Sequence, residues 1–434
     1  MKLQKKYGDL VLLRAGSRPL VIVFGYKRIR EILVDNANKT KFRPSGLPIA
    51  KRIFPNVPGV VFSNGQEWSD IRKFSMVALK DFGVGKKSIE ERIHEEVQFL
   101  GDLIANTSDK KPIDVSQIFS KATSNVISNI IFGSRFEYDD PDFRFMLDSV
   151  NFLLKNTSPF VSDTVSRMLG RLGISNKLDE IVKRRITMQN YVRSRIDQQS
   201  SSFDPNNIRN FLDLYLVQEN QQDSKISEER LFLTILDLYS AGTDTTSVTL
   251  QWCMLYMLKY PDVQNKCRKE ILEVIGDKLP DVKDKEKLPY VMATLCEVQR
   301  IATIAPNAVP HCCIEDVHID GKTIPKGTTI ICCLQSVHHD PEMWEEPDVF
   351  RPERFLGKDG KFVKHEAFSP FSMGPRICLG KQLAEEELVL FFTSLLQRFD
   401  LVKADGDDDL CTDGIHTGVT QEPRPFRMRF MPRT

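Results

Sequence analysis

Along most of this chain, apolar residues return every three or four positions, the period of an amphipathic helix. That spacing predicts helices over 67–80, 88–106, 114–132, 177–198, 263–274 and 291–301, with shorter ones over 26–35 and 211–216. Near the end, Leu388, Phe391, Phe392, Leu395, Leu396 and Phe399 mark the buried face of one more. Strand-like stretches are few. Leu10–Arg14 and Leu20–Phe24 flank a turn and predict a hairpin. Residues 314–318, 321–327 and 328–333 predict strand, turn and strand, and short strands are expected beyond Phe399. The charged start, Met1–Asp9, leads almost directly into the first strand.

Three stretches depart from this pattern. Residues 41–60 carry prolines and glycines without periodicity and predict a long loop, a common place for function. Residues 141–176 mix Phe145, Met146, Phe152, Phe160 and Met168 with few charges, which suits a core helix pair. The third stretch is a helix from about Ser227 to Tyr260, apolar over most of its circumference and roughly 50 Å long, so it crosses the core. At its middle stands Ala241-Gly242-Thr243-Asp244-Thr245-Thr246. Glycine and threonine are poor helix formers, and a buried Asp244 is costly. A threonine hydroxyl can bond a carbonyl one turn back and loosen the ladder. Such a local break points either to function or to a kinked core helix with a satisfied polar pair.

Candidate chemistry gathers at Phe371-Ser-Met-Gly374-Pro-Arg376-Ile-Cys378-Leu-Gly380. Cys378 lies just before a helix N-terminus, which favours an anionic sulfur and a lowered thiol pKa. Glycines there allow close backbone approach to a flat ligand. One thiolate without a second cysteine nearby suits an iron centre with a single protein ligand rather than tetrahedral zinc, although a buried structural cysteine has the same surroundings. Trp68 and Arg72 are four apart on one helix face, a carboxylate-binding pair or a simple stack. Glu297 and Arg300 are three apart and can pair.

The pattern Phe371-x-x-Gly374-x-Arg376-x-Cys378-x-Gly380 resembles the haem-binding loop of cytochrome P450 enzymes. The resemblance runs from Tyr7 onward with the motifs in family order. In wording it is most similar to the animal microsomal, family-2-like branch: Val61-Phe-Ser-Asn-Gly65, Trp68-x-x-x-Arg72-Lys-Phe74, Ala241-Gly-Thr-Asp-Thr-Thr246 and Pro310-His311. It implies a mainly α fold with a small β-rich lobe, in one domain over 1–434, the lobe coming from about 1–60 and 302–335. It implies haem b, with Cys378 as the axial iron ligand. Arg376, Trp68, Arg72 and His311 become propionate partners, Phe371 packs on the sulfur side, and Gly380 and Ala241 border the ring. Related enzymes often carry a further arginine near the position of Asn56, a contact this chain would lack. Thr245 becomes the alcohol and Asp244 the acid of oxygen activation, and Glu297, Arg300 and Arg354 a buried structural cluster. The implied substrate pocket draws on 44–61, 150–170, 238–245, 305–309 and 417–420, including Asn307, Ala308, Val309 and Thr420, with 141–176 as a lid.

The implied activity is a monooxygenase using dioxygen and NADPH-derived electrons on a lipophilic xenobiotic, steroid or fatty acid. A haem-thiolate isomerase or peroxide-rearranging enzyme, and a non-catalytic haem protein, are the alternatives; relatives of the isomerase kind often lack the acid–alcohol pair. The implied partners are NADPH–cytochrome P450 reductase, cytochrome b5 and a membrane surface, at the cytosolic face of the endoplasmic reticulum. Arg72, Lys73, Lys80, Lys86 and Lys87 offer a basic face for an acidic reductase. Microsomal members carry an N-terminal anchor and proline-rich hinge that this chain does not show.

Composition adds boundaries. The 434 residues, 41% hydrophobic and 27% charged, suit a large core, and a net charge of +1 gives no case for nucleic acid. Nine cysteines without a signal peptide indicate reduced thiols. Cys312-Cys313, Cys332-Cys333 and His338-His339 do not read as zinc sites, because neighbours on a strand face opposite ways. No stretch reaches the ~18 apolar residues of a membrane span. The sequons at Asn38, Asn106 and Asn156 are expected to stay unmodified on a cytosol-facing domain.

Overall fold

A computed structural model describes residues 2–15, 18–44, 59–82, 84, 87–108, 111–156, 177–219, 226–404 and 410–433. Chain order runs α1 (Lys2–Tyr7), β1 (Leu10–Ala15), β2 (Arg18–Val23), α2 (Tyr26–Arg30) and α3 (Ala37–Thr40). Helices α4 (Gly65–Asp81), α5 (Lys87–Ser108), α6 (Val115–Phe132) after β3 (Ile113–Asp114), α7 (Pro141–Asn156), α8 (Lys177–Ser200) and α9 (Phe211–Glu219) follow. Next come α10 (Glu228–Lys259), α11 (Pro261–Val274), α12 (Pro289–Ala302) and the strands β4 (His311–Cys312), β5 (Val317–Ile319), β6 (Lys322–Ile324) and β7 (Thr329–Cys332). The chain ends with α13 (Leu334–His338), α14 (Lys381–Arg398), β8 (Phe399–Lys403), β9 (Ile415–Thr417), β10 (Thr420–Glu422) and β11 (Arg427–Pro432).

The fold is mainly α with a minor β-rich lobe. Helix α10 is its axis. Ser227 caps it by accepting the Arg230 N–H, and 32 residues carry it about 48 Å through the core. It packs on α6 along a seam of small polar side chains. There Thr123 Oγ1 donates to Thr243 O at 2.8 Å, and Ser124 and Tyr239 share a hydrogen bond of 2.6 Å. Helix α14 closes on its other side, with Phe391, Phe392 and Leu396 fully buried.

A four-stranded mixed sheet, in the order β1-β2-β7-β4, joins the start of the chain to residues 311–332. Its centre is the parallel pairing of β2 and β7, Leu20 opposite Thr329 through Val23 opposite Cys332. Both strands are β-branched and buried, as a covered parallel pair requires. A second cluster of buried apolar residues surrounds this sheet, distinct from the large helical core.

Four expectations change. The opening charged segment forms α1 rather than running straight into strand. The 26–35 helix is α-helical only to Arg30 and continues as one π turn over Glu31–Asp35. Residues 314–333 do not make one strand pair: β5 and β6 form a small hairpin around Asp320 and Gly321, while β7 pairs with β2. Helix α10 runs unbroken through Ala241–Thr246. Thr245 and Thr249 bond back to the carbonyls of Ala241 and Thr245 without opening the ladder. The expectations for residues 45–58, Lys86, 157–176 and 220–222 lie outside the described residues.

Candidate active site

The glycine loop is held by its own backbone. Cys378 N–H donates to Phe371 O at 3.1 Å and Ile377 N–H to Gly374 O at 3.0 Å. Gly374 has φ +75°, and a Cβ there would lie 2.0 Å from Leu33 O, so this glycine seats the loop on the π turn rather than on a ligand. Gly380 differs: a Cβ there would meet no protein atom within 4 Å, and the residue caps α14.

Cys378 sits deep in the fold, yet its side chain is exposed. Its sulfur is therefore surrounded by protein yet open to a ligand. Ala241 is likewise exposed, although it stands at the middle of a core helix. One cavity is lined from both sides, by Thr245, Thr246 and Thr249 of α10 and by Phe371, Ala384 and Leu388 of the loop and α14. Burial pushes the Cys378 thiol up, while the Gly380 N–H, Arg72 and Lys381 act against it. The expected lowering by a helix N-terminus is thus outweighed by burial in the protein alone.

Beside the cysteine, basic side chains converge. Arg376 stacks its guanidinium 3.9 Å over the Trp68 ring and donates to Lys41 O (2.8 Å) and Ser63 O (2.6 Å). Its Nη1 is buried without a partner among the described residues. Arg72 lies 5.8 Å from the same ring and donates to Ile377 O at 2.9 Å. His311 is buried, with Nδ1 donating to Thr40 O at 2.8 Å, and burial beside Arg43 and Arg376 pushes it down to about 3. Arg43 completes the group. It is 6% exposed and its guanidinium donates to Val61 O, Val309 O and Pro310 O. The sequence reading misses it: it expects the further arginine of related enzymes near the position of Asn56, finds none there, and counts that contact as lacking. The only signal was an arginine in the otherwise apolar run Phe42-Arg43-Pro44. Burial and mutual repulsion push Arg376 down to about 9, and burial pushes Arg43 to about 10. Among the described ion pairs, no carboxylate answers Arg43, Arg72 or Arg376.

Buried cations without anions are costly, so this arrangement is built for an anionic ligand. A haem fits: two carboxylates for the arginines, an iron for Cys378, and a flat ring beside Gly380, where a Cβ would meet no protein atom within 4 Å.

On α10, the Asp244 carboxyl shares no described hydrogen bond with the Thr245 hydroxyl. Its Oδ2 accepts the Thr420 hydroxyl at 2.9 Å, and burial raises its carboxyl to about 6. Thr245 donates to Ala241 O at 2.7 Å. Asp237, one turn before Ala241, was also missed. Its Oδ2 accepts the Val61 N–H at 2.9 Å, and burial raises it to about 7.

Behind the loop, Glu297, Arg300 and Arg354 meet. Glu297 accepts Arg300 Nε at 2.7 Å and Arg354 Nε at 3.0 Å, and both glutamate and Arg300 are fully buried. Arg300 Nη1 donates to His338 O and Pro347 O, both at 2.7 Å. His338 in turn accepts the Ser369 N–H at Nε2 and lies 3.0 Å from the Thr303 hydroxyl. This chain of bonds fixes the segment entering the cysteine loop. Of the expected substrate contacts, Asn307 is exposed, Ala308 packs in the β-lobe core, Val309 is half-buried and gives its carbonyl to Arg43, and Thr420 is buried on Asp244.

An exposed thiol in a glycine loop, beside buried arginines without carboxylate partners among the described ion pairs, suits a haem-thiolate enzyme. The chain belongs to the cytochrome P450 family, whose model matches residues 1–430. It is 38% identical over 443 residues to cytochrome P450 2B12 of Rattus norvegicus, covering 100% of this chain and 89% of that protein. It is 37% identical over 439 residues to cytochrome P450 2B4 of Oryctolagus cuniculus, with coverage of 100% and 89%. It is also 39% identical over 438 residues to cytochrome P450 2K4 of Oncorhynchus mykiss, with coverage of 98% and 86%. These relatives place it in the family-2-like branch, as a monooxygenase. Family membership implies haem b with use of dioxygen and NADPH, and suggests an electron-donor reductase and a lipophilic substrate. Among the described residues, no helix is long and apolar enough to cross a membrane.

Proposed function

We propose that the chain works as a single haem-thiolate monooxygenase domain, in which Cys378 would supply the thiolate that holds the haem iron. The observation that carries this reading is the exposed sulfur of Cys378 beside buried arginines that have no carboxylate partner among the described ion pairs, with Arg72 bonded to the neighbouring Ile377 O. Arg43, Arg72, Arg376, Trp68 and His311 would hold the two propionates, and Phe371 and Gly380 would border the sulfur side. The bound haem supplies dioxygen activation. One oxygen atom enters a C–H bond of the substrate and the other leaves as water, using two electrons from NADPH and two protons.

The protein's own part is positioning and proton movement. Asp244 takes protons from the solvent side, and Thr245 presents a hydroxyl to the cavity. No direct bond joins them, so water carries the proton between the two. Asp244 and Thr245 favour the monooxygenase over an isomerase, which has no need of such a pair. NADPH–cytochrome P450 reductase, with cytochrome b5 as a second donor, would dock on the exposed face of α4. The substrate is a lipophilic xenobiotic, steroid or fatty acid, and the site of action is the cytosolic face of the endoplasmic reticulum. A carbon monoxide difference spectrum of the reduced holoprotein tests the ligand. The thiolate-type shift is expected, and its absence with intact haem overturns the Cys378 assignment.

A further inference from the structure

Strands β9 and β10 form a hairpin that lies along α10 and delivers one side chain to the acid of that helix. Thr420 opens β10, is 3% exposed, and donates from Oγ1 to Asp244 Oδ2 at 2.9 Å. The hairpin is anchored on both sides of this bond. Trp252 Nε1 of α10 donates to Gln421 O at 2.9 Å, and Gln421 N–H donates to Ile304 O at 2.8 Å. At the hairpin tip, Gly418 has φ +71°, and a Cβ there would lie 2.0 Å from Leu154 O near the end of α7. That close approach seats the turn as only glycine allows. With tip and strand both fixed, the Thr420 hydroxyl is held where Asp244 needs a donor.

We propose that Thr420 is a positioning residue for proton delivery, holding Asp244 Oδ2 so that Oδ1 is the oxygen that takes up and releases the proton. The inference rests on the reading of Asp244 as the proton-delivering acid. It gives Thr420 a different task from the substrate contact expected of its loop, because its hydroxyl is directed at α10.

The physical case is a competition. Burial disfavours the Asp244 carboxylate, and the Thr420 donor favours it. The charged groups that face Asp244 are Glu422 of β10 and Lys155 of α7, which lie 3.7 Å apart and oppose one another. The threonine is therefore the decisive local group keeping Asp244 able to accept a proton near neutral pH. Without it, the carboxyl stays protonated to higher pH and its orientation is lost.

The test uses the haem-loaded full chain with reductase and NADPH and no organic substrate, and compares the wild type with Thr420→Val, Thr420→Ser and Asp244→Asn. Infrared difference titration follows the C=O stretch of the protonated Asp244, identified by its loss in Asp244→Asn. Thr420→Val is expected to move its midpoint up by about one pH unit, the worth of one hydrogen bond to a charged group, and Thr420→Ser to restore it. In parallel, the share of reduced dioxygen released as hydrogen peroxide at pH 7.4 should rise several-fold in Thr420→Val and return in Thr420→Ser. An unmoved midpoint overturns the inference, as does a moved midpoint with unchanged peroxide release. If Asp244→Asn itself leaves peroxide release unchanged, the reading of Asp244 falls, while the infrared arm still reports whether Thr420 holds it. Should Thr420→Val fail to retain haem, Thr420→Ala carries the same two readouts.

Discussion

Arg43 and Arg376 meet at one side chain: Asn64 Oδ1 accepts the Arg43 backbone N–H at 2.7 Å and Arg376 Nη2 at 3.3 Å. The Arg43 backbone and the Arg376 guanidinium are thereby tied to one side chain, and Arg43 lowers both Arg376 and His311. A dianionic ligand relieves that repulsion. Arg43→Leu should therefore weaken haem retention by about 10- to 100-fold, the worth of one charge-assisted hydrogen bond at ~1.5–3 kcal/mol. Arg43→Lys should fall between, because a point charge cannot reproduce the fork. The rate of haem transfer to a scavenging apoglobin measures both, and an unchanged rate removes Arg43 from the site.

Much of this was legible in the residues. The helices are written by the period of their apolar positions, and α10 by its length and its odd centre. Cys378 before a helix and the Trp68–Arg72 pair suggest chemistry by their spacing, whereas the roles of Arg376 and of the Glu297–Arg300–Arg354 cluster come from the family resemblance. What could not be read depends on contacts between distant segments. Arg43 looks like any arginine beside a proline until β4 and the entry to α4 close over it. Thr420 sits in a hairpin whose docking on α10 is set by Trp252 and Gln421. The unbroken path of α10 reflects tertiary packing that outweighs threonine's weak helix preference.

Glu297 answers two arginines in a region from which water is excluded. Glu297→Ala leaves both guanidiniums facing one another without a counter-charge. The expected loss is about 3–5 kcal/mol of stability, visible as a lower midpoint of urea unfolding. The double variant Glu297→Leu with Arg300→Met should lose less than Glu297→Ala, since it also removes the more deeply buried of the two uncompensated charges. Equal losses would mean that the cluster contributes through packing rather than charge.

Glu387 of α14 is 2% exposed, and burial raises its carboxyl to about 8 against the Thr246 hydrogen bond that lowers it. The folded chain therefore binds this proton more tightly than the unfolded chain, whose glutamate titrates near 4.5. Stability from this group is fully present below pH 4.5 and is lost as pH rises toward 8. Glu387→Gln removes the titration and keeps the hydrogen-bonding shape. Relative to wild type it should gain stability between pH 5 and 7.5, by up to ~3 kcal/mol at 1.36 kcal/mol per unit. Thermal unfolding at both pH values checks the sign, and a parallel shift of the two proteins would show that Glu387 does not titrate in the fold.

On helix α4, Trp68 and Arg72 of the proposed haem site stand beside the exposed Lys73, Met76, Val77 and Lys80, and all six line one surface groove. An acidic reductase docking here, as proposed, would bring its electrons to the Cys378 side of the proposed haem site, through a helix that also bonds the Cys378 loop by Arg72 and Ile377 O. Attraction between exposed charges is screened beyond ~10 Å at 0.1 M salt, so association should slow as salt rises. Stopped-flow reduction of the haem by NADPH-loaded reductase should be several-fold slower at 0.3 M than at 0.02 M salt. Lys73→Glu with Lys80→Glu should slow the low-salt rate and flatten its salt dependence, while leaving the carbon monoxide spectrum unchanged. A salt-independent rate in the wild type would move the docking surface away from α4.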